Sequence, residues 1–524
     1  MKFRNVFAAL LVLVGLFPFA PLAFGFALLG PFAPWMEETN DLRQLGDIGG
    51  PMEIGSGYRW NVPIVTYGFD QSFLDYFGTN GVQAVEDAFQ ILNDLPAASD
   101  LVLTNYPFES QGTSYQAQAL SLYDLKSFTL ALLLEQLGLT SPTRYVFTLR
   151  RWDPIFLTYP YSFDWPDWVI PYYITERNYD PETLAASQIV NGAGYDGEVL
   201  SMPQGNYVAE LLLDPMVQVF SSVTDAYGGF IISPQLGGKE LVLYFPGLQL
   251  GGFYTGLTRD DVGGLRYLLS ADNVNYEKLP LDVRTSGSHR NHTGNGAWRP
   301  GVEKITFVRQ PYDRQSGKFR PFRHRFTDAY LENDVLMHQR VEREVRQPDF
   351  LFYAADTGEN EPYTSTVIRT GTTNWQNNAA FNGNSGGEGP GIIQPPIKIT
   401  FQKLGPTFII NDGIPTLLLF GGWGTFDGTT NLPVVYPENP QNNIPFTVRL
   451  RFIDGTNFVY NHTWHLPVPI GGIADLQVST NQISWTSVAT ATNGGAVAEW
   501  DYYAQVNPPK FFRVIPQSVP EPNH

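Results

Sequence analysis

The pattern of apolar positions predicts a buried helix from Ser121 to Thr140. The stretch reads SLYDLKSFTLALLLEQLGLT, and its leucines and phenylalanine leave little polar face. Ser121 and Asp124 match the capping-box spacing at the start, and Gly138 stands where helices commonly end. We therefore expect this segment to be the central helix of a domain.

The segments around this helix predict an α+β domain over residues 40–270. Tyr58 to Tyr67 has the composition of a core strand, and Gly81 to Leu95 has apolar residues at helical spacing before Pro96. Leu101 to Thr104 is strand-like. Thr258 to Asp261 is a second capping-box pattern and opens a short helix.

Beyond residue 300 the pattern predicts β-rich, sandwich-type domains and no long helix. Short apolar segments alternate with Pro, Gly and Asn turns, as in Lys304 to Val308 and Ile397 to Phe401. Residues 286–300 have the composition of a linker. We predict a β-rich domain at 300–470 and a C-terminal β module at 471–517, or closing strands of the same sandwich.

The N-terminal residues predict an export signal over residues 1–27. Lys2 and Arg4 precede an apolar run, and small residues follow at Ala23, Gly25 and Ala27. A retained membrane anchor is the alternative, but prolines interrupt the run and favour cleavage. We expect a secreted or cell-surface protein with no membrane span once the signal is removed, since no later segment is apolar for about 20 residues.

Composition restricts the chemistry. The net charge of −18 argues against a nucleic-acid partner, which requires a clustered basic surface. The chain contains 0 Cys, so disulfides, thiolate nucleophiles and thiolate zinc sites are excluded.

The central segment resembles the active-site helix of the matrixin-type metzincins, secreted zinc peptidases with the motif H-E-x-x-H-x-x-G-x-x-H. Leu125 to Leu139 is similar to that helix, and Gly138 lies in an L-G-L sequence typical of the family. Leu257 to Asp261 resembles the L-T-x-D-D start of the family's closing helix. The resemblance covers roughly residues 58–270 and implies the metzincin fold.

The residues that would bind zinc are absent. The histidine positions of the motif hold Ala131, Glu135 and Ser141, and the glutamate position holds Leu132. A catalytic zinc needs three protein ligands and a carboxylate base. The chain has no histidine before His289, so the resemblance implies an inactive relative, a pseudoenzyme without zinc.

An aromatic run from Tyr145 to Ile174 is the second candidate binding region. It contains Trp152, Trp165, Trp168 and Tyr172, interleaved with prolines. Such rings can stack on sugars, or they can pack on the domain as a large loop or strand pair. Together with Glu135, these residues are the candidate cleft or binding residues, and we assign no catalytic, cofactor or metal residues.

Several weaker patterns are also typical of ordinary polar turns. They include a G-N-S-G-G box, two histidine pairs at i, i+3 spacing, two acidic turns that could bind calcium and a basic run. The G-N-S-G-G box is Gly383 to Gly387, and the histidine pairs are His289/His292 and His462/His465. The acidic turns are Asp356 to Glu361 and Asp427 to Asn431, and the basic run is Lys318 to Arg346. We expect no cofactor, with calcium as the alternative, and interpret the basic run as a solvated charged face.

Three functions follow as hypotheses. The chain also resembles a group of exported bacterial proteins with no assigned activity, through Tyr58 to Asn61, Gln347 to Ala354 and Phe511 to Val514. We predict a non-catalytic extracellular or cell-surface protein that binds protein or polysaccharide. The alternatives are a secreted hydrolase, in which Glu135 faces a second carboxylate across a cleft, and a structural envelope protein.

Overall fold

A computed structural model gives the architecture. It describes residues 25–32, 36, 48–55, 59–152, 172–202, 208–215, 223–226, 230–232, 242–244, 248–285, 296–313, 315–355, 370–371, 374–376, 392–404, 407–411, 414–419, 422–437, 446–454, 457–466, 472–479, 484–493, 498–503 and 511–516. Within these residues the fold is mixed α and β, and strands dominate, as the sequence predicts. The described α-helices are Gln71–Asn93, Tyr115–Ala119, Leu125–Leu137 and Arg259–Leu269.

A central sheet forms the main layer. Its strands, in spatial order, are Thr306–Arg309, Ile64–Phe69, Phe350–Ala355, Ile397–Gln402 and Thr370–Gly371. The first four run parallel and the last is antiparallel. Their inward side chains are aromatic or β-branched, as expected for strands that are covered by other layers.

The long helix Gln71–Asn93 packs on this sheet. Asp70 caps it by accepting a hydrogen bond from the Ser72 amide. Gly78 has non-helical dihedrals and kinks the helix. Tyr67 of the sheet stacks on Phe89 of the helix with ring centroids 4.0 Å apart. The helix begins well before the predicted Gly81.

The central helix is Leu125–Leu137 and is buried on every side except near Lys126. Asp124 is its N-cap, and Gly138 ends it in the left-handed conformation, with φ 111°. Ser121 does not cap the helix as predicted. Residues Leu122–Asp124 are instead a short strand that pairs with Gly422–Thr425.

Residues from remote parts of the chain enclose the central helix. Phe128 meets the Trp423 ring at 5.6 Å, edge to face. The Trp60 indole donates to the carbonyl of Gln136 at 2.9 Å. Burial of so many leucines is the largest favourable contribution available to this part of the fold.

A second, antiparallel sheet, the hairpin sheet, lies against the central one. Its strands, in spatial order, are Asn275–Glu277, Ala297–Arg299, Phe322–Glu332, Val335–Val345 and Val283–Thr285. The two long strands form a hairpin whose two-residue turn places Asn333 and Asp334 at φ 53° and 62°. Positive φ at both positions matches the right-handed twist of paired strands.

Buried ion pairs fasten the hairpin sheet to the central sheet. Arg343 binds Asp349 at 2.5 Å and Asp282 at 3.0 Å, and it donates to the Ile64 carbonyl. Asp349 also accepts a hydrogen bond from the Thr66 amide at 2.8 Å. These contacts join segments that lie almost 300 positions apart in the chain.

A second chain of ion pairs lies beside the first. Arg59 binds Glu277 at 2.8 Å, and Arg299 binds Asp328 at 2.9 Å. The Arg299 guanidinium also donates to the Glu277 carbonyl. All four side chains are at most 4% exposed, so each charge needs the partner it has.

The remaining strands form small sheets and one two-layer region. The small groups are Phe26–Gly30 with Gly50–Met52, Leu139–Thr140 and Asn178–Tyr179; Leu122–Asp124, Gly422–Thr425 and Val434–Tyr436; Gln111–Thr113 and Gly252–Tyr254; Thr148–Trp152 and Tyr172–Thr175; Ile189–Val190, Ala193–Met202 and Val208–Pro215; Phe230–Ile232 and Val242–Tyr244; Tyr312–Asp313 and Lys318–Phe319; Asn374–Gln376 and Ile392–Gln394. Leu101 to Thr104, predicted as strand-like, contains the start of the 3-10 turn Leu103–Asn105. Other 3-10 turns are Ala98–Asp100, Thr143–Tyr145 and Val223–Asp225.

The C-terminal region contains two further sheets. One orders Ile414–Leu419, Thr407–Asn411, Phe511–Pro516, Ile473–Ser479 and Thr486–Thr492, and the other orders Asn457–Leu466, Phe446–Asp454 and Ala498–Tyr503. Leu450 and Trp500 of one sheet share an apolar cluster with Leu476 and Val514 of the other. The two sheets thus pack as two layers.

The sheets cross the predicted domain boundaries. Strands Thr306–Arg309, Phe350–Ala355 and Ile397–Gln402 complete the sheet that begins at Ile64, so 40–270 and 300–470 are not separate folding units. The strand Phe511–Pro516 pairs with Thr407–Asn411, so 471–517 is not a separate module either. Strand pairing between remote segments leaves no local mark in the sequence.

The first described strand also changes the predicted N-terminal boundary. Phe26–Gly30 is buried throughout and pairs with Leu139–Thr140, directly after the central helix. The Phe26 ring lies 5.5 Å from the Tyr267 ring. Phe26 and Ala27, assigned above to the signal 1–27, therefore belong to the folded chain.

We predict that a chain starting at Gly25 folds, whereas one starting at Leu28 is markedly less stable. The second chain lacks Phe26, and losing a buried phenylalanine side chain costs about 3–5 kcal/mol. Urea denaturation followed by circular dichroism measures the difference. Phe26→Ala in the longer chain is the matched control and should reproduce most of the loss. Equal midpoints for the two chains would place the strand outside the stable fold.

The buried carboxyl group of Asp124 makes the stability of the fold depend on pH. Its carboxylate accepts hydrogen bonds from the Ser127 amide at 3.0 Å and the Ser127 hydroxyl at 2.5 Å. Burial raises the pKa of Asp124 to about 6, although these hydrogen bonds oppose the rise. The folded state therefore binds this proton more tightly than the unfolded state, and stability decreases as pH rises from about 4 to about 6.

We expect Asp124→Asn to remove this pH dependence while retaining an N-cap acceptor. Relative to the parent, the variant should gain about 3 kcal/mol between pH 4 and pH 7, since one pKa unit corresponds to about 1.4 kcal/mol. Asp124→Ala, the control, should lose about 1 kcal/mol at pH 4 through the missing cap. Urea midpoints at several pH values test this. Parallel pH profiles for parent and Asn variant would contradict it.

Candidate active site and binding cleft

The motif positions of the central helix are sealed in the core. Ala131 and Leu132 are fully buried, and Glu135 is 5% exposed. Ala131, Leu132 and the leucines around them belong to one apolar cluster with aromatic residues such as Phe89 and Phe352. In place of an open metal position, the helix presents packed apolar side chains.

Glu135 does not lie where a catalytic carboxylate of a hydrolase would have to lie. The hydrolase hypothesis requires Glu135 to face a second carboxylate across an open cleft, and the side chain is instead buried. The carbonyl of Glu135 accepts the Gly138 amide that closes the helix, at 3.0 Å. The structure contradicts this version of the hydrolase.

Ser141, at the third histidine position, takes part in a structural hydrogen-bond group. Its hydroxyl donates to Asp225, which also accepts from the Thr143 hydroxyl at 2.8 Å. Asp225 is almost completely buried. The group ties the turn at Val223–Asp225 to the segment after the central helix.

The closing helix Arg259–Leu269 begins with two buried carboxyl groups. Asp261 completes the predicted capping box with Thr258, and it also accepts from the Val223 amide at 3.0 Å. Asp260 accepts from the Asn191 amide at 2.6 Å. Burial raises the pKa of Asp260 well above its usual range, and the neighbouring Asp261 and Asp225 add to the rise. These carboxyl groups hold two loops at the start of the helix.

The structure describes two of the four aromatic candidate residues, Trp152 and Tyr172. Trp152 and Tyr172 lie opposite each other in the paired strands Thr148–Trp152 and Tyr172–Thr175. The strand pair is one of the two arrangements that the sequence left open. Trp165 and Trp168 lie outside the described residues.

A cleft of about 500 Å³ opens where the hairpin sheet meets the amino ends of two central strands. The residues that line it are Pro280, Leu281, Asp282, Arg284, Glu344, Arg346, Gln347, Asp349, Pro395 and Pro396. Leu281 is 90% exposed at its rim. The cleft combines residues 280–284, which lie between the predicted domain 40–270 and the predicted linker 286–300, with residues of the predicted β-rich domain 300–470.

The electrostatics of the cleft are set by its arginines. The buried Arg343 forms ion pairs with both Asp282, at 3.0 Å, and Asp349, at 2.5 Å. Hydrogen bonds from Arg323 and Arg346 lower the pKa of Glu344. Arg284 is exposed and forms no ion pair within the described part of the chain. A cation and an apolar rim are therefore available to a ligand.

The weaker sequence patterns lie partly within and partly outside the described residues. Asp427 accepts from the Thr429 amide at 2.9 Å and the Thr429 hydroxyl at 2.5 Å, which forms a polar turn. His462 and His465 lie in the strand Asn457–Leu466. His289, His292, residues 356–361 and residues 383–387 lie outside the described residues. Among the described residues, no group of three or more His, Asp or Glu side chains is placed to hold a metal ion.

Comparison with known proteins finds no matching family model, no matching curated protein and no matching solved structure. Within the described part of the chain, no helix is long and apolar enough to cross a membrane. The resemblance to metzincins stays a prediction that rests on the residues quoted for it.

We predict that Arg343→Met destabilises the protein by about 3–5 kcal/mol, because it leaves Asp349 buried without its cation. Adding Asp349→Asn should recover part of this loss, since the orphaned charge is removed. Arg323→Met, which breaks an exposed pair, should change stability little. Urea midpoints measure all three. A strictly additive double variant would show that the two side chains are not coupled.

Proposed function

We propose that the protein is an exported, non-catalytic binding protein of the extracellular space or cell surface. In this proposal it is a zinc-less relative of the matrixin-type peptidases, and its ligand is a polysaccharide or a protein. The observation that carries the proposal is the cleft between Leu281 and Gln347, with its exposed leucine and with Arg284, which has no ion pair among the residues that the structure describes.

Two features support a binding role over peptidase chemistry. The positions that would carry zinc ligands and base are Ala131, Leu132, Glu135 and Ser141, and the first three are buried. The cleft, in contrast, is open and offers both apolar contact and hydrogen-bond donors, the combination found in ligand sites. The cleft and the central helix are different places in the fold.

The test combines an activity assay with a binding assay on purified full-length protein. We expect no stoichiometric zinc by mass spectrometry and no cleavage of a broad peptide library. In affinity electrophoresis through polysaccharide gels, or against secreted proteins, we expect retardation or complex formation that Leu281→Asp weakens about tenfold, equivalent to about 1.4 kcal/mol.

Leu432→Asp is the matched control, because Leu432 is 65% exposed on a loop of another sheet. The control variant should bind as the parent does. Stoichiometric zinc with peptidase activity would overturn the proposal. Binding that both variants retain would move the site away from the cleft.

A further inference from the structure

The side of the hairpin sheet that faces away from the central sheet forms a second surface, the outer face, beside the cleft. Residues alternate between the two sides of the sheet, because successive side chains of a strand point in opposite directions. Asp328 and Tyr330 are buried, whereas Arg325 and Thr327, which precede them and point to the other side, are exposed. Cross-strand partners share a side, so the pairing register defines the outer face.

One end of this outer face is an apolar row. Tyr276 lies opposite Trp298, Trp298 opposite Leu331, and Leu331 opposite Leu336. The row crosses four strands, about 14 Å in all at about 4.8 Å per strand. Trp298 is 53% exposed and Leu336 is 51% exposed. An edge-to-face contact with Tyr276, at 5.6 Å, holds the indole in place.

The other end is cationic. Its charged residues are Arg284, Arg323, Arg325, Arg340, Glu342, Glu344 and Arg346. Arg325 binds Glu342 at 2.7 Å, and Arg284 lies opposite Glu342 on the neighbouring strand. Cations outnumber carboxylates here, although the whole chain carries a charge of −18. The face is thus complementary to an anionic ligand in an otherwise acidic protein.

The apolar row and the cleft are the two ends of one continuous surface. Arg284, Glu344 and Arg346 belong to the cationic end and also line the cleft. Leu331 and Arg323 lie eight residues apart on one strand, which corresponds to about 26 Å. An extended chain fits such a length, and a single small molecule does not.

We propose that the outer face and the cleft together bind an anionic polysaccharide whose sugars carry carboxylates. This inference rests on the proposed binding function and names its ligand. Trp298 and Leu336 offer a flat apolar platform for a sugar ring. Arg284, which forms no ion pair among the described residues, pairs with a sugar carboxylate through parallel N–H···O bonds. Nucleic acid fits less well, because the overall negative charge repels a densely charged phosphate backbone.

The probes are polygalacturonate, neutral dextran and a single-stranded oligonucleotide, titrated into the full-length protein by calorimetry at low and high salt. We expect polygalacturonate to bind at least about tenfold more tightly than dextran at low salt. The difference should shrink as salt rises, because screening weakens the contacts of exposed charges. The oligonucleotide should bind more weakly than polygalacturonate.

Two variants separate the roles of the two ends. Trp298→Ala should weaken binding of polygalacturonate about tenfold by removing the platform. Arg284→Gln should reduce affinity for polygalacturonate and its salt dependence, while leaving dextran affinity unchanged. Tyr115→Ala, another exposed aromatic, and Arg309→Gln, an exposed arginine of the central sheet, are the matched controls.

Each outcome decides between the two proposals. Loss of polygalacturonate binding in the two variants but not in the controls supports the inference. Equal, salt-independent binding of dextran and polygalacturonate overturns the anionic ligand while leaving a binding protein. Tighter oligonucleotide binding, or variants that bind as the parent does, overturns the surface assigned here. A protein that binds no polysaccharide in any form, and no protein either, overturns both.

Discussion

The ion pair between Arg343 and Asp349 is the contact on which the arrangement of the two main sheets depends. Both side chains are almost completely buried, so their removal from water is costly unless every polar atom finds a partner. Here the guanidinium also reaches Asp282 and the Ile64 carbonyl, and Asp349 also accepts from Thr66. The pair therefore specifies how the hairpin sheet sits on the central sheet. The carboxylates of Asp349 and Asp282 in turn line the cleft.

The central helix shows what sequence reasoning could predict. Its buried character, the left-handed Gly138 and the capping box of Thr258 with Asp261 follow from local patterns of side chains, and all three are confirmed. The prediction that Ser121 caps the helix was wrong, because Leu122–Asp124 forms a strand that pairs with residues 300 positions later in the chain. The spacing of residues within a short segment carries no information about a strand that pairs with it from so far along the chain. The predicted domain boundaries were misplaced for the same reason.

The candidate binding surface was beyond sequence reasoning for a related cause. Trp298 and Arg284 carry no motif, and they lie in or beside a segment whose composition is that of a linker. They become a surface only through the register of five strands drawn from separate segments. The basic run from Lys318 to Arg346 was visible, but its interpretation as one solvated face missed the alternation. Arg343 points inward to Asp349, whereas Arg325 points outward to Glu342.

This alternation couples stability to recognition. In the second half of the strand Val335–Val345, Val341, Arg343 and Val345 are buried, and the residues between them belong to the outer face. A register slip of one position would exchange the two sets, placing Arg340 or Glu342 inside and Arg343 in water. The tight turn at Asn333 and Asp334 and the buried pair at Arg343 fix the register from opposite ends of the hairpin. Because the same register aligns Trp298, Leu331 and Leu336 in one row, the interactions that hold the sheet together also assemble the surface proposed to bind ligand.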